Sequence, residues 1–113
     1  MYNEIIDIKG KNFPSSLDSL VIALCLDYTR RSEDILADKA SKRTLMEYRY
    51  INYRMEDAAM EIVGVKGAEL FIKEIGKKIG YAYSGIDFLS ETAYKQQKRE
   101  VKMNIARKLH LLD

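Results

Sequence analysis

The chain has 113 residues, of which 47% are hydrophobic and 32% charged, and its formal net charge is +2. This length and balance predict one globular domain with a single modest core, and they exclude a disordered chain. The longest apolar run, residues 20–28, is about half of the roughly 20 residues that cross a bilayer, so no membrane span is expected.

The chain contains one cysteine, Cys25, and one histidine, His110. An intramolecular disulfide and a zinc site of four Cys/His ligands are therefore excluded. Cys25 lies within an apolar run, which predicts a buried thiol rather than a nucleophile. The start of the chain, MYNEIIDIKG, lacks the basic-then-apolar order of a secretory signal, so a cytoplasmic location is expected. No cofactor, metal or small-molecule substrate is expected.

The first helix is predicted over residues 15–38, after an arm or short extended segment at residues 1–13. Pro14 is placed where a helix entry tolerates proline. The apolar residues recur at the three- and four-residue steps of one helix face, and they are Leu17, Val21, Leu24, Tyr28 and Ile35.

A second helix is predicted over residues 41–63, with Gly64 ending it as a C-cap glycine. Its inward stripe is Leu45, Tyr48, Asn52, Met55, Ala59 and Ile62. Asn52 is either a buried residue that sets the register or an edge residue in contact with water. The two helices are expected to form an antiparallel hairpin.

Two tyrosines of this second helix, Tyr50 and Tyr53, point away from its inward stripe, and Arg54 lies beside them. Tyrosine and arginine are enriched at protein interfaces, so this surface predicts a homodimer or another protein partner. A neighbouring helix of the same chain covering these tyrosines is the alternative, and stacking on single-stranded bases is a third interpretation.

The remainder of the chain, residues 67–111, predicts a third helix followed by a long fourth helix that begins near Ser84. Ser84 and Asp87 have the Ser-x-x-acid form of a capping box. The predicted fold is therefore all-α, a four-helix bundle-like domain in which the hairpin precedes a helix-turn-helix-like unit.

A helix-turn-helix needs two short helices that cross steeply around a tight turn, and this imposes a pattern of small and apolar residues. The residues with that spacing are Ile75 and Ile79 facing the core, Gly76 where the helices cross, Gly80 in a left-handed turn, Tyr81 after the turn, and Ile86 and Leu89 in the second helix.

The stretch from Ile72 to Glu91 resembles the helix-turn-helix of small bacterial and phage transcription regulators. The resemblance implies DNA binding in transcriptional or mobile-element control, with a homodimer reading paired half-sites. It places nearest the base edges the residues Tyr83, Ser84, Gly85, Asp87 and Phe88. A helical corner of the same shape without a nucleic-acid role is the alternative.

The charge distribution bears on this hypothesis in two ways. Residues 64–113 contain 10 basic and 6 acidic residues, a net charge of +4, which favours a phosphate-facing surface. Asp87 and Glu91 depart from the expected pattern because phosphates repel them. The basic residues expected to contact phosphates are Lys77, Lys78, Lys95, Lys98 and Arg99, although a lysine-rich terminal helix is also typical of a solvated face.

The sequence contains no pattern that predicts catalysis. The acidic pairs Asp34/Asp38 and Asp57/Glu61 each share a helix face, and either could hold a metal only if other carboxylates converge on it. No phosphate-cradling loop or nucleophile elbow is present. The protein is therefore predicted not to be an enzyme. The leading hypothesis is a DNA-binding regulator, and the competing one is a helical protein–protein interaction or assembly module.

Overall fold

The computed structural model describes residues 13–112, and every regular element in that range is helical. The predicted all-helical class is confirmed. The helices are α1 (Ser15–Leu26), α2 (Tyr28–Ala37), α3 (Lys42–Lys77) and α4 (Glu91–Lys108), with a 3-10 turn at Tyr81–Tyr83. The predicted arm lies outside the described residues except for Phe13, which is partly buried against the core.

The predicted first helix, residues 15–38, is divided in two at Asp27, where φ is −89° and ψ is 0°. The Asp27 amide still donates to the carbonyl of Ala23, so the chain bends without losing the helical hydrogen bond. Aspartate is a poor helix former because its side chain competes for nearby hydrogen-bond donors, and here it binds Arg30. The bend lets α1 and α2 pack against different parts of α3.

The predicted four-helix bundle is not confirmed, because α3 extends far beyond the expected end at Gly64. Gly64 has φ 82° and ψ 173°, so α3 bends there and then continues to Lys77. The N-terminal part of α3 runs antiparallel to α2, since Tyr28 contacts Glu56 and Arg31 contacts Asn52. This pairing corresponds to the predicted hairpin.

The structure differs from the prediction at two glycines, Gly80 in the turn after α3 and Gly76 within α3. Lys78 is the left-handed residue that ends the helix, with φ 56°, whereas Gly80 is extended, with φ −82°. Gly76 does accommodate a helix crossing, but the element that crosses it is α1 at Cys25 and Leu26. Gly76 therefore allows α1 to pack closely on α3, rather than allowing two consecutive helices of a helix-turn-helix to cross.

The fourth helix begins at Glu91, and the predicted start near Ser84 was wrong. Ser90 caps α4 by accepting a hydrogen bond from the amide of Ala93, at 3.2 Å. The Ser84 hydroxyl is engaged elsewhere, because it donates to Glu74 and accepts from the Ile86 amide. Residues 84–90 therefore form an irregular loop.

The core lies between α1, α3 and α4, with Tyr28 of α2 at one end. Its largest fully buried side chains include Tyr94, Phe71, Met55, Ile72, Ile75, Ile86, Ile105 and Val101. Ile86 was predicted to return to the core, and it does so from the loop rather than from a helix. None of the helices between residues 13 and 112 has the length and apolar character needed to cross a membrane.

Candidate interaction surfaces

The N-terminal part of α3 carries an outer stripe, which we define as Arg43, Met46, Tyr50, Tyr53 and Asp57. These residues follow alternating steps of three and four, so they lie along one side of the helix. Its three central side chains are exposed, Met46 at 67%, Tyr50 at 46% and Tyr53 at 67%. No described helix covers the two tyrosines, in contrast to the alternative in which a neighbouring helix packs on them.

A groove with a volume of about 440 Å³ runs along one edge of the outer stripe, between α2 and α3. Leu36 of α2, exposed at 88%, and Tyr53 of α3 both line it. A second groove lies on the other edge and is lined by Met46, Tyr50, Ile51 and Glu47. The apolar surface is thus continuous across two helices, with a depression on either side.

A buried polar network holds α2 against α3 beneath this surface. Arg31 is 3% exposed, and its Nε donates to the Asn52 side-chain oxygen at 2.6 Å. Its Nη2 donates to the carbonyl of Leu24 at 2.7 Å. The Asn52 amide in turn donates to the Tyr28 carbonyl and to the Ser32 hydroxyl. Asn52 is therefore the buried residue of the two possibilities open from the sequence.

Burial has a charge consequence at Arg31. Desolvation lowers the pKa of its guanidinium, and the nearby Asp27 carboxylate opposes that effect. A buried charge is tolerated only when its donors are satisfied, so the position of α2 on α3 is tightly specified. The network therefore fixes which side chains of the two helices are displayed side by side.

The predicted interface residue Arg54 lies over the ring of Tyr50, with its guanidinium carbon 5.3 Å from the ring centroid. The structure thus brings Tyr50, Tyr53 and Arg54 together on one exposed surface, as the sequence indicated. Leu36 and Met46 complete that surface, and neither was predicted from the sequence to be part of it. The three- and four-residue spacing on the outer face of residues 41–63 would have identified Met46. The position of Leu36 next to that face depends on how α2 packs on α3.

The residues predicted to lie nearest base edges are on the 3-10 turn and the loop that follows it. Tyr83 and Phe88 are exposed, at 87% and 70%. Ser84 and Gly85 both donate hydrogen bonds to Glu74, at 2.6 and 2.7 Å. These five positions are therefore close together, but no helix carries them.

Glu74 organises this loop, and the sequence reasoning missed it. Its side chain is buried, and in addition to the two loop donors it accepts a hydrogen bond from the Tyr94 hydroxyl at 2.8 Å. Burial, followed by the hydrogen bond to Glu74, raises the pKa of Tyr94 to about 12. The hint in the sequence is that Glu74 lies among the apolar residues of the segment LFIKEIG, residues 70–76.

The predicted phosphate-contacting residues occupy several different environments. Lys77 and Lys78 are exposed at the end of α3, and Arg99 is exposed on α4. Lys95 forms an ion pair with Glu91 at 2.9 Å. Lys98 donates from Nζ to the Ile79 carbonyl at 2.8 Å, and burial lowers its pKa.

The remaining chemistry-bearing side chains do not converge. Cys25 is 2% exposed, and burial raises the pKa of its thiol to about 12. Within residues 13–112 no group of three or more His, Cys, Asp or Glu side chains is arranged to hold a metal ion.

Comparisons with family models, with curated proteins and with solved structures found no match to this chain.

Proposed function

We propose that this protein is a non-catalytic helical assembly module, and that it binds another protein through the outer stripe together with Leu36. The observation that carries the proposal is the continuous exposed apolar surface formed by Leu36, Met46, Tyr50 and Tyr53. Contiguous exposed apolar surface with a polar rim is typical of a protein-binding site.

The chemistry of the surface supports this function. Tyrosine offers a large apolar area with little conformational entropy to lose, and arginine next to it adds cation–π and hydrogen-bonding capacity. The buried Arg31–Asn52 network holds the two helices in one arrangement, so the partner meets a preformed surface.

DNA binding in transcriptional control stays a prediction from the sequence, and so does a cytoplasmic location. DNA binding has narrower support, because the positions expected at base edges include Asp87 and lie outside the α-helices. Two of the expected phosphate contacts, Lys95 and Lys98, are already engaged within the protein. Lys77, Lys78 and Arg99 are the exposed residues on which that alternative depends.

Site-specific photocrosslinking tests the proposed function. A benzophenone side chain is introduced at Tyr53. The matched control carries it at Tyr83, which is more exposed and lies on the 3-10 turn after α3 rather than on the outer stripe. We expect a discrete protein–protein crosslink from position 53 in its native cellular context and none of comparable yield from position 83. Equal yields from both positions would contradict the proposal.

A further inference from the structure

We propose that the partner of the outer stripe is a second copy of this chain, with the two α3 helices packed antiparallel about a two-fold axis. The inference rests on the proposed function, because it names the occupant of the same surface. Three features of the described residues carry it, namely the spacing of the stripe, the charges along its edges and the apolar flank supplied by α2.

The spacing of the outer stripe is that of a two-helix contact. Met46, Tyr50 and Tyr53 occupy successive a- and d-type positions, with Arg43 and Asp57 one step further out at the ends. The stripe extends over about 20 Å of helix, at roughly 1.5 Å per residue. Beyond Asp57 it is bounded by Lys108 of α4, which binds that carboxylate. A helix of matching length and pattern is therefore the natural occupant, and the chain itself contains one.

Each edge of the stripe carries one acidic and one basic residue. Glu47 and Arg54 lie seven residues apart on one edge, while Arg49 and Glu56 lie seven apart on the other. Glu47 is exposed and its only ion pair among the described residues is a long one, 3.8 Å, to Arg43. Glu56 is held in place by the Tyr28 hydroxyl. Each edge thus has no net charge, but its acidic and basic residues stand at opposite ends, so the edge is electrostatically polar along the helix axis.

This direction selects an antiparallel pair. When two identical helices pack antiparallel, each edge meets its own counterpart, so Glu47 faces Arg54 of the second copy. By the same symmetry Arg49 faces Glu56 of the second copy, and the two-fold axis repeats both pairs. All four contacts then join opposite charges, and charges flanking the contact are known to set helix orientation.

A parallel pair would have the reverse electrostatics. Parallel packing brings opposite edges together, which places Arg49 near Arg54 of the second copy. One heptad further, Glu56 would approach Glu61 of the second copy, a carboxylate that Lys108 of its own chain already binds. Like charges across a helix contact are destabilising, so the sequence of the stripe disfavours this orientation.

The α2 helix enlarges the contact beyond a single pair of helices. Leu36 stands beside the edge that contains Arg49 and Glu56, and together they line the groove of about 440 Å³. Because that edge meets its own counterpart in the antiparallel pair, the two copies of Leu36 approach the same region. The strongly exposed Leu36 is thereby removed from water.

Sedimentation equilibrium over a wide range of protein concentration tests self-association of the full chain. We expect a reversible dimer. Tyr53→Ser should raise its dissociation constant by about 10-fold or more, because the two-fold symmetric interface buries two copies of each tyrosine. Tyr83→Ser removes a tyrosine that is more exposed than Tyr53 and is not part of the stripe, and it should leave the constant within about two-fold. A monomer at every concentration, or equal effects of both variants, would overturn the proposal.

Charge reversal tests the orientation. In the antiparallel pair Arg54→Glu faces Glu47, so dimerisation should weaken by roughly 3- to 10-fold, and the double variant Glu47→Arg/Arg54→Glu should restore it. In a parallel pair Arg54→Glu would face Arg49 and tighten the dimer. Tightening by Arg54→Glu therefore overturns the antiparallel assignment, and so does a double variant no better than the single one.

A distance measurement gives an independent readout of orientation. Arg43→Cys in a Cys25→Ala background places one spin label per chain at the end of the stripe. The antiparallel pair separates the two labels by about 25 Å along the helix axes, whereas a parallel pair brings them to within roughly the 8–10 Å that separates packed helices. The shorter distance would overturn the proposal.

The two proposals fail in different ways. If the chain is monomeric while position 53 still crosslinks specifically to another protein, the second copy is wrong and the assembly function stands. If the chain is monomeric and positions 53 and 83 crosslink equally, both are wrong.

Discussion

The backbone of Leu26 passes directly over Gly76, so that a Cβ atom placed on Gly76 would stand 2.4 Å from the Leu26 amide nitrogen. The carbonyl carbon of Cys25 would be 2.6 Å away. Both atoms belong to the main chain of α1, and neither can rotate away as a side chain would. The close approach of α1 to α3 therefore requires glycine at this position.

We accordingly expect Gly76→Ala to destabilise the protein by roughly 3 kcal/mol, because the two helices must separate. Gly80→Ala is the matched control, since Gly80 has φ −82° and a Cβ added there would meet nothing within 4 Å. That variant should be neutral or more stable by up to about 1 kcal/mol. Urea unfolding measures both, and a tolerated alanine at position 76 would show that α1 does not cross there.

Removal of the buried Asn52 side chain should lower the free energy of unfolding strongly, because it leaves a buried charge on Arg31 without its acceptor. Asn52→Leu leaves the Nε of Arg31 without its 2.6 Å partner, and we expect a loss of about 3 kcal/mol. The double variant Arg31→Met/Asn52→Leu replaces both members with apolar groups and should recover part of that loss. Thermal and urea unfolding of both variants test this coupling, and purely additive losses would contradict it.

The loop at residues 84–90 should depend on a single carboxylate. Glu74→Ala removes the acceptor of the Ser84 hydroxyl, the Gly85 amide and the Tyr94 hydroxyl, and we expect it to cost about 2–4 kcal/mol. Hydrogen exchange at the Gly85 amide should accelerate strongly. Glu69→Ala is the control, because the one ion pair of this exposed residue within residues 13–112 is with Lys73, and its loss should stay within about 0.5 kcal/mol.

The thiol of Cys25 should make stability decrease at alkaline pH. Burial raises its pKa from the ordinary 9.0 to about 12, so the unfolded chain releases this proton more readily than the folded one. The stabilising contribution is complete below pH 9 and is lost as the pH rises toward 12. We expect the free energy of unfolding to fall between pH 8 and pH 11 by on the order of 2 kcal/mol more in the wild type than in Cys25→Ala.

Comparison with Cys25→Ala is needed because Tyr94, whose pKa is raised to about 12, contributes to the same pH range in both proteins. Thiol modification supplies a second measurement. Cys25 should react with a disulfide reagent at pH 8 only as fast as the protein opens. Rapid modification of the folded protein would contradict its burial.

The DNA-binding hypothesis has its own test on the exposed lysines that end α3. If it holds, a mobility shift on random duplex DNA should weaken steeply between low and physiological salt, because phosphate contacts release counterions. Lys77→Ala/Lys78→Ala should weaken that shift further, while Tyr53→Ser should leave it unchanged. Absence of a shift at low salt would exclude this function, and Lys98 is unsuitable as a probe because it also binds the Ile79 carbonyl.

Local patterns in the sequence were sufficient for the helical class and for the outward direction of Tyr50 and Tyr53. Helical periodicity depends only on side chains three and four residues apart, so it can be read without knowing the rest of the fold. The second helix was predicted to begin at residue 41, and Ser41 is its N-cap, with a hydroxyl that accepts from the Thr44 amide. These features involve residues within one or two turns of each other.

The start of α4 shows where local reasoning failed. Ser84 and Ser90 are both suitable caps, and the acid at Asp87 favoured the earlier one. The buried carboxylate of Glu74, ten residues before Ser84, engages that serine and leaves Ser90 to begin the helix. A contact that the local pattern does not contain thus decided between the two serines.

The tertiary structure also decided what faces Gly76, whether Asn52 is buried, and how Leu36 joins the surface of α3. Each of these depends on helices that are distant in the chain and become neighbours only when α1 and α2 bend apart at Asp27. Helix formation is dictated by near neighbours, whereas packing depends on which surfaces meet and on whether their buried charges find partners.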